Sequence, residues 1–174
     1  AGLHSARKSG AALVSAVRRG VARRKAASAA GSFPGATRRF QWRGTVKRVS
    51  VYEDYPHQPT EVAALVSAAR RRFPDSTIRV LFQPHLFSRT RFFAPAFARA
   101  LSIADDVIVT GIYPARESQK DFPDVTASTI VDAAAGIDHD PARWISAVED
   151  MHAAAQTLAM RSHHGDVILT VAAR

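Results

Sequence analysis

Two short loops gather the side chains best suited to polar-ligand chemistry. Residues 52–61 read Tyr-Glu-Asp-Tyr-Pro-His-Gln-Pro-Thr-Glu, placing a carboxylate (Asp54), a phenol (Tyr55) and an imidazole (His57) within four positions. Pro56 and Pro59 restrict the backbone, which lowers the entropy cost of holding polar groups toward a ligand. A plain alternative is a capped turn, with Thr60 as N-cap, Glu61 in the first helical turn and His57 merely exposed. Residues 83–91, Gln-Pro-His-Leu-Phe-Ser-Arg-Thr-Arg, follow an apolar run and lead into a helical pattern, where free backbone amides favour anions. Arg89 and Arg91 add permanent charge and paired donors that match a carboxylate or phosphate. The plain alternative there is an arginine paired with a neighbouring acid and His85 satisfied within the loop.

Periodicity supplies the frame that must hold these loops. Leu13, Val14, Val17 and Val21 recur at helical spacing, which predicts one or two helices over residues 9–30 interrupted at Gly20. A breaker at 31–35 sets a boundary. Extended runs at 39–46 and 48–52 predict a hairpin. A helix follows from Thr60 to about Phe73, with Val62, Leu65, Val66 and Ala69 inward. The remainder alternates: strands at 78–82, 107–112 and 167–171, and helices at 91–102, 127–135 and 148–160. Apolar strands alternating with helices predict an α/β, Rossmann-like fold. Its sheet is mainly parallel and mixed, with helices on both faces, the hairpin at one end and a helical segment before it. Ligands gather at the carboxyl ends of such strands, which selects the loops after Tyr52, Phe82 and Ile112.

Composition narrows the classes. The 174 residues suit one ordinary domain with an attached piece of another, and 47% apolar content supports a packed core. No apolar run approaches 18 residues, so no membrane partner is expected; no signal-peptide core is present, so a cytoplasmic location is expected. Cysteine is absent, excluding disulfides and thiolate chemistry. His139, His152, His163 and His164 have no liganding spacing, so no metal site is expected. The net charge of +9 is uneven: twelve cations and no acid precede Glu53, while the other twelve of the 24 Lys and Arg meet all fifteen acids afterwards, a net of −3. That basic segment permits non-specific, salt-sensitive contact with nucleic acid but carries no recognition motif, so no specific nucleic-acid partner is expected. A non-catalytic assembly role, with Val14, Val17 and Val21 exposed as a patch, is the other alternative.

Several segments resemble the Mur ligase family. The segment "VYEDYPHQPTEV" is similar to the family's D-D-Y-A-H-H-P-T-E, and "FQPHLFSRTR" to F-Q-P-H-R-Y-S-R-T-R, a form that points to the L-alanine-adding members. "RRFQWRG" resembles the opening of the family's carboxy-terminal domain, and "ADDVIVTGIYPARE" its next strand and loop. "GLHSARKSGAALVSAV" looks like the end of the central ATPase domain. The resemblance implies residues 1–35 as a helical remnant of that domain with its linker, and 36–174 as the carboxy-terminal domain. It implies ATP- and magnesium-dependent amide-bond formation between the lactyl carboxylate of UDP-N-acetylmuramate and L-alanine, in peptidoglycan precursor synthesis. The amino-terminal and central domains would be the partners that close on the substrates. His4 and Asp54 would serve the nucleotide. Tyr55 would lie near the nucleotide or hinge and, with His57, His85 and Arg89, line the substrate site, Arg89 taking the amino-acid carboxylate.

The chain also departs from the family pattern. It has no G-x-x-x-x-G-K-[ST] phosphate loop, so this polypeptide is not expected to ligate alone or to bind ATP tightly. Ser5 and Lys8 stand where the family has asparagines, Gln58 replaces a histidine, and Leu86 stands where many relatives have arginine. Ala172 and Ala173 replace a glycine-rich turn. These departures fit either an excised fragment or a decayed copy.

Overall fold

The computed structural model describes residues 3–32, 40–139 and 143–172, with residues 3–8 described as backbone alone. The breaker at 33–35 and the expected strand start at Arg39 lie outside the described residues. The chain divides into two compact units, residues 1–37 and 38–174.

In the first unit, α1 (Leu3–Arg18) and α2 (Arg23–Ser32) are joined by a tight reversal. Gly20, at φ +88°, is the C′ residue of a Schellman motif. Its N–H donates to the Val17 carbonyl at 3.0 Å, and that of Val21 to Ala16 at 3.1 Å. An apolar groove of about 550 Å³, lined by Leu13, Ala16, Val21 and Ala26 among others, runs along this pair. Val14 and Val21 are exposed, while Val17 is half-buried.

The second unit is a six-stranded mixed sheet in the order β1-β2-β6-β3-β4-β5. Its strands are β1 (Gln41–Val46), β2 (Val49–Asp54), β3 (Ile78–Phe82), β4 (Asp106–Val109), β5 (Ile145–Ala147) and β6 (Val167–Val171). Only β1 runs antiparallel to its neighbour; every other pairing is parallel. The helices are α3 (Pro59–Arg72), α4 (Phe87–Leu101), α5 (Ser128–Ala133) and α6 (Met151–Arg161). Alternation along the strands divides the core in two. Val80, Phe82, Val107, Val109, Leu169 and Val171 pack with Val62, Val66, Phe97, Leu101 and Ile130 of α3, α4 and α5. On the opposite face, Leu81 and Ile108 meet Ala154 and Leu158 of α6. Continuous apolar strands are what two-sided coverage requires.

Several elements differ from expectation: β4 ends at Val109 rather than at 112, α6 begins at Met151 rather than at 148, and three further differences concern α3, α4 and β5. The first residue of α3 is Pro59, and its N-cap is Gln58, whose side chain makes no capping bond. Proline suits the first helical position because its missing N–H would have no partner there, and this displaces Thr60 from the cap. α4 begins at Phe87, four residues before the expected Arg91. β5 was not anticipated: three residues show no readable period, although Trp144 just before it is buried and stacks on His139 at 4.7 Å. His139 also approaches the Ala104 carbonyl through Nε2 at 2.9 Å, a structural use of that imidazole.

The β1–β2 turn is strained. Val46 pairs with Val49, leaving Lys47 (φ +49°) and Arg48 (φ +63°) as the two turn residues, both in the left-handed region. This is the two-residue geometry that Asn-Gly adopts without cost. Substituting Lys47→Asn with Arg48→Gly should therefore stabilise the domain by about 1 kcal/mol. Urea unfolding of the chain would read this as a higher midpoint at unchanged slope; a lower midpoint would show the turn is not strained.

Candidate functional site

β2 and β3 flank β6 in the same register, since Asp54 and Phe82 both pair with Val171. The loops that follow them therefore leave one rim of the sheet, separated by a single strand, or roughly 10 Å. A third loop joins them: His85 forms a parallel bridge to Tyr113, with Tyr113 N–H donating to the Pro84 carbonyl at 2.8 Å and Leu86 N–H to the Tyr113 carbonyl at 2.9 Å. The three segments selected from sequence thus meet at the carboxyl ends of the parallel strands.

Asp54 is held by backbone. One carboxylate oxygen accepts from Phe40 N–H at 2.8 Å, the other from Tyr55 N–H at 2.6 Å. This fixes the start of the second unit against the end of β2. The Tyr55 ring lies 5.7 Å from that of His57. Glu61 reaches back from the first turn of α3: its Oε2 is 3.4 Å from His57 N–H and 3.8 Å from His57 Nδ1. A glutamate at the third helical position reaching back toward the cap is one half of a capping box. His57 Nδ1 is buried and makes no hydrogen bond in the structure.

Across the rim, His85 Nδ1 lies 3.3 Å from Arg89 Nη1. Arginine has only donors, so this nitrogen must accept and the proton of neutral His85 sits on Nε2. Burial first, then the charges of Arg89, His57 and Arg116, hold the His85 imidazole below its ordinary value despite an opposing effect of Glu117. His85 is accordingly neutral at pH 7. Its ring lies 5.5 Å from that of Tyr113.

The amino end of α4 differs from the sequence expectation in one respect that matters for binding. Its first two amides, those of Phe87 and Ser88, already face an anion. Glu117 supplies the anion from within the chain: Ser88 N–H donates to its Oε2 at 3.0 Å and the Ser88 hydroxyl to its Oε1. Burial would raise the Glu117 carboxyl, but the Ser88 hydroxyl, the amides of Ser88 and Phe87 and nearby Arg116 together bring it below the usual range. The preceding residue, Leu86, is buried with φ 72° and ψ 132°, a region almost reserved for glycine, at a cost of roughly 1–3 kcal/mol. Two contacts keep it there: its carbonyl accepts from Thr90 N–H at 3.0 Å and from the fully buried Thr90 hydroxyl at 2.8 Å. No Gly, Asn or Ser marks this helix start, which is why its position was missed. Glu117 was missed because its function depends on a partner 29 residues away.

Arg91 is drawn off the site by Asp124 at 2.5 Å and lies over the Phe122 ring. Arg89 remains half-buried beside His85, with no carboxylate partner among the described residues. The rim thus brings together Tyr55, His57, His85 and Arg89, and adds Tyr113, Arg116 and Glu117. His4 lies on α1 with its side chain outside the described residues. Loss of the Glu117 carboxylate should free the first turn of α4. In Glu117→Ala, hydrogen exchange at the Ser88 amide is expected to quicken several-fold while that of Phe97 is unchanged. Because the Glu117 carboxyl sits low in the folded chain, its contribution is present above the ordinary glutamate value and fades as pH falls through the lowered one. Equal exchange in variant and parent would show that the clamp carries no weight.

A mixed α/β sheet with polar loops gathered at its carboxyl rim defines a domain class, and residues 38–174 match the family described as Mur ligase, glutamate ligase domain. The chain belongs to that family. It is 65% identical over 173 residues to UDP-N-acetylmuramate–L-alanine ligase of Bifidobacterium longum (strain DJO10A), covering 99% of this chain and 34% of that relative. The corresponding ligase of Paenarthrobacter aurescens (strain TC1) is 46% identical over 172 residues, covering 99% of this chain and 35% of that relative. The crystal structure of UDP-N-acetylmuramate-alanine ligase from Thermotoga maritima superposes with a TM-score of 0.72 at 25% identity, covering all of this chain and 35% of that one. The chain therefore spans about a third of the length of the curated relatives it matches.

Proposed function

We propose that this chain is the acceptor-binding, domain-closing portion of a cytoplasmic UDP-N-acetylmuramate–L-alanine ligase, an ATP-dependent enzyme of peptidoglycan precursor synthesis. The observation that carries the reading is the convergence of Tyr55, His57, His85 and Arg89 on one rim, on a chain 65% identical to such a ligase. In this reading Arg89 takes the L-alanine carboxylate through its planar fork. His57 and His85 face the amine end, and Tyr55 closes the nucleotide side. Asp54 acts by anchoring the loop, and His4 belongs to the adenine side of the intact site.

Residues 1–35 are the end of the central ATPase domain with its linker. The open apolar groove along α1 and α2, with exposed Val14 and Val21, supports this: helices with an uncovered apolar side belong to a larger layer. ATP, magnesium and UDP-N-acetylmuramate are ligands of the whole enzyme. The residues in hand do not themselves fit the nucleotide or the metal. The sequence has no glycine-rich phosphate loop, and the described residues offer no cluster of three or more His, Cys, Asp or Glu. No helix among the described residues is long and apolar enough to cross a membrane.

Two titrations test the reading. Calorimetry of this chain with a non-hydrolysable ATP analogue and magnesium should show no binding tighter than about millimolar; micromolar affinity would overturn the assignment of the phosphate cradle to the part of the relatives that this chain does not span. Addition of L-alanine to ¹⁵N-labelled chain should shift the amides of residues 55–57, 85–89 and 113–117. Shifts confined to other residues would remove the acceptor site from this rim.

A further inference from the structure

The two rim imidazoles are held by partners of opposite character. Glu61 presents one carboxylate oxygen to both the backbone N–H and the ring Nδ1 of His57, at 3.4 and 3.8 Å. A carboxylate has no proton to give, so it repels a lone pair and attracts an N–H. His57 Nδ1 is buried with no hydrogen-bond partner in the structure, so a proton there has this carboxylate as its counterpart. Arg89, a pure donor, faces Nδ1 of His85 at 3.3 Å and demands a lone pair.

We infer that Glu61 fixes His57 as the Nδ1–H tautomer while Arg89 fixes His85 as the Nε2–H tautomer, so that His57 removes the acceptor's ammonium proton and His85 only donates. The inference rests on the reading that the acceptor amino acid binds at this rim. The proton passes from the ammonium nitrogen to His57 Nε2, leaving an amine lone pair for amide-bond formation and an imidazolium beside the Glu61 carboxylate. The side chain of His57 is 39% exposed, so its outer edge is open to a ligand. The groups around it are Glu61 on α3, the Tyr55 ring on its own loop, and His85 across the rim with Arg89 and Arg116 close to it. Neutral His85 adds no charge against the imidazolium. Apo distances beyond hydrogen-bond reach, such as 3.8 Å, commonly tighten when substrate closes the site.

Glu61 is a positioning residue in this scheme, and its capping role must be separated from its effect on the tautomer. Glu61→Gln keeps the side-chain length but removes the charge, so the atom facing both groups becomes either a neutral amide oxygen or an NH₂, and either one weakens or reverses the pull on a proton at Nδ1. Long-range ¹H–¹⁵N spectra of the labelled chain near neutral pH report both tautomers directly, with no ligand present. The expected result is a protonated Nδ1 at His57 and a protonated Nε2 at His85. In Glu61→Gln, His57 should shift toward Nε2–H while His85 is unchanged. An Nε2–H His57 in the parent chain, which needs no variant to fold, would overturn the inference; so would an unmoved ratio in Glu61→Gln. In a full-length ligase, His57→Gln should lower kcat on the order of 100-fold with an unchanged KM for ATP; a retained kcat would end the base assignment. Because the spectra need no substrate, their failure leaves the acceptor-site reading intact, whereas failure of the L-alanine titration leaves the tautomers standing.

Discussion

Replacing Arg89 with alanine in a full-length ligase carrying this domain should raise the KM for L-alanine by roughly 10- to 150-fold, the equivalent of about 1.5–3 kcal/mol for one charge-assisted contact. The KM for ATP should stay within about twofold under the same principle, since nothing near Arg89 fits a nucleotide. The Ser88 N–H is taken by Glu117, Arg91 by Asp124, and Asp54 by two backbone N–H groups. Arg89 is left with His85 alone, as a half-buried cation whose neighbour is a neutral imidazole. A cation so placed gains more from a carboxylate than one in open water, because partial burial lowers the local dielectric. Arg89→Lys should recover only part of the loss, since a single ammonium cannot form two parallel bonds to a carboxylate. Steady-state kinetics with L-alanine varied at saturating ATP measures this; an unchanged L-alanine constant in Arg89→Ala would take Arg89 out of the acceptor site.

The rim was readable from sequence because its logic is local. A buried apolar run followed by a proline-bearing polar loop identifies the carboxyl end of a parallel strand without knowing its neighbours, and two such loops hold Tyr55, His57, His85 and Arg89. What was not readable depends on pairings across the chain. The 83–91 loop looked like the approach to open helix amides because Glu117, which accepts from the Ser88 N–H, is distant in sequence. Leu86 adopts a glycine-like backbone that no side-chain preference announces. The order of β3, β6 and β4 was equally hidden, and with it the meaning of three charged residues at strand starts. Arg79 is an anomaly inside an apolar run, and Asp106 and Asp166 look like ordinary residues before strands. Once β3 pairs with β4 in register, Arg79 lies opposite Asp106, and with β6 beside β3 the loop residue Asp166 comes within reach.

That cluster leads to the largest expected effect on stability. At the amino-end rim, opposite the site, Arg79 contacts Asp106 at 2.5 Å and Asp166 at 2.8 Å, and Arg161 contacts Asp106 at 3.1 Å. The Arg79 and Asp166 side chains are only 11% and 7% exposed, so neither can turn to water if its partner is lost. Burial would raise the Asp166 carboxyl, but the His163 amide, Arg79 and Thr77 together hold it below the usual carboxylate range. Two guanidinium groups balance two carboxylates. Removing one member leaves an uncompensated buried charge, so Asp166→Ala and Arg79→Met should each cost about 3–5 kcal/mol, a large share of a typical domain's 5–15. The two variants are separable by pH. Because the Asp166 carboxyl is depressed in the folded chain, its contribution is present above the ordinary aspartate value, roughly 3.9, and is lost as pH falls through the lowered one. Asp166→Ala should therefore fall furthest below the parent at neutral pH, and the gap should narrow in acid. Arg79→Met leaves Asp106 its contact with Arg161 but takes from Asp166 the guanidinium that holds its carboxyl low, which raises the affinity of Asp166 for a proton. Relative to the parent, the variant's stability should recover as pH falls from neutral toward 5; both chains share the loss that comes from the depressed His85 imidazole, which takes up a proton more readily once unfolded. Urea unfolding across that range decides between them: a parallel course for Arg79→Met and the parent would mean that Arg79 does not hold the Asp166 carboxyl low.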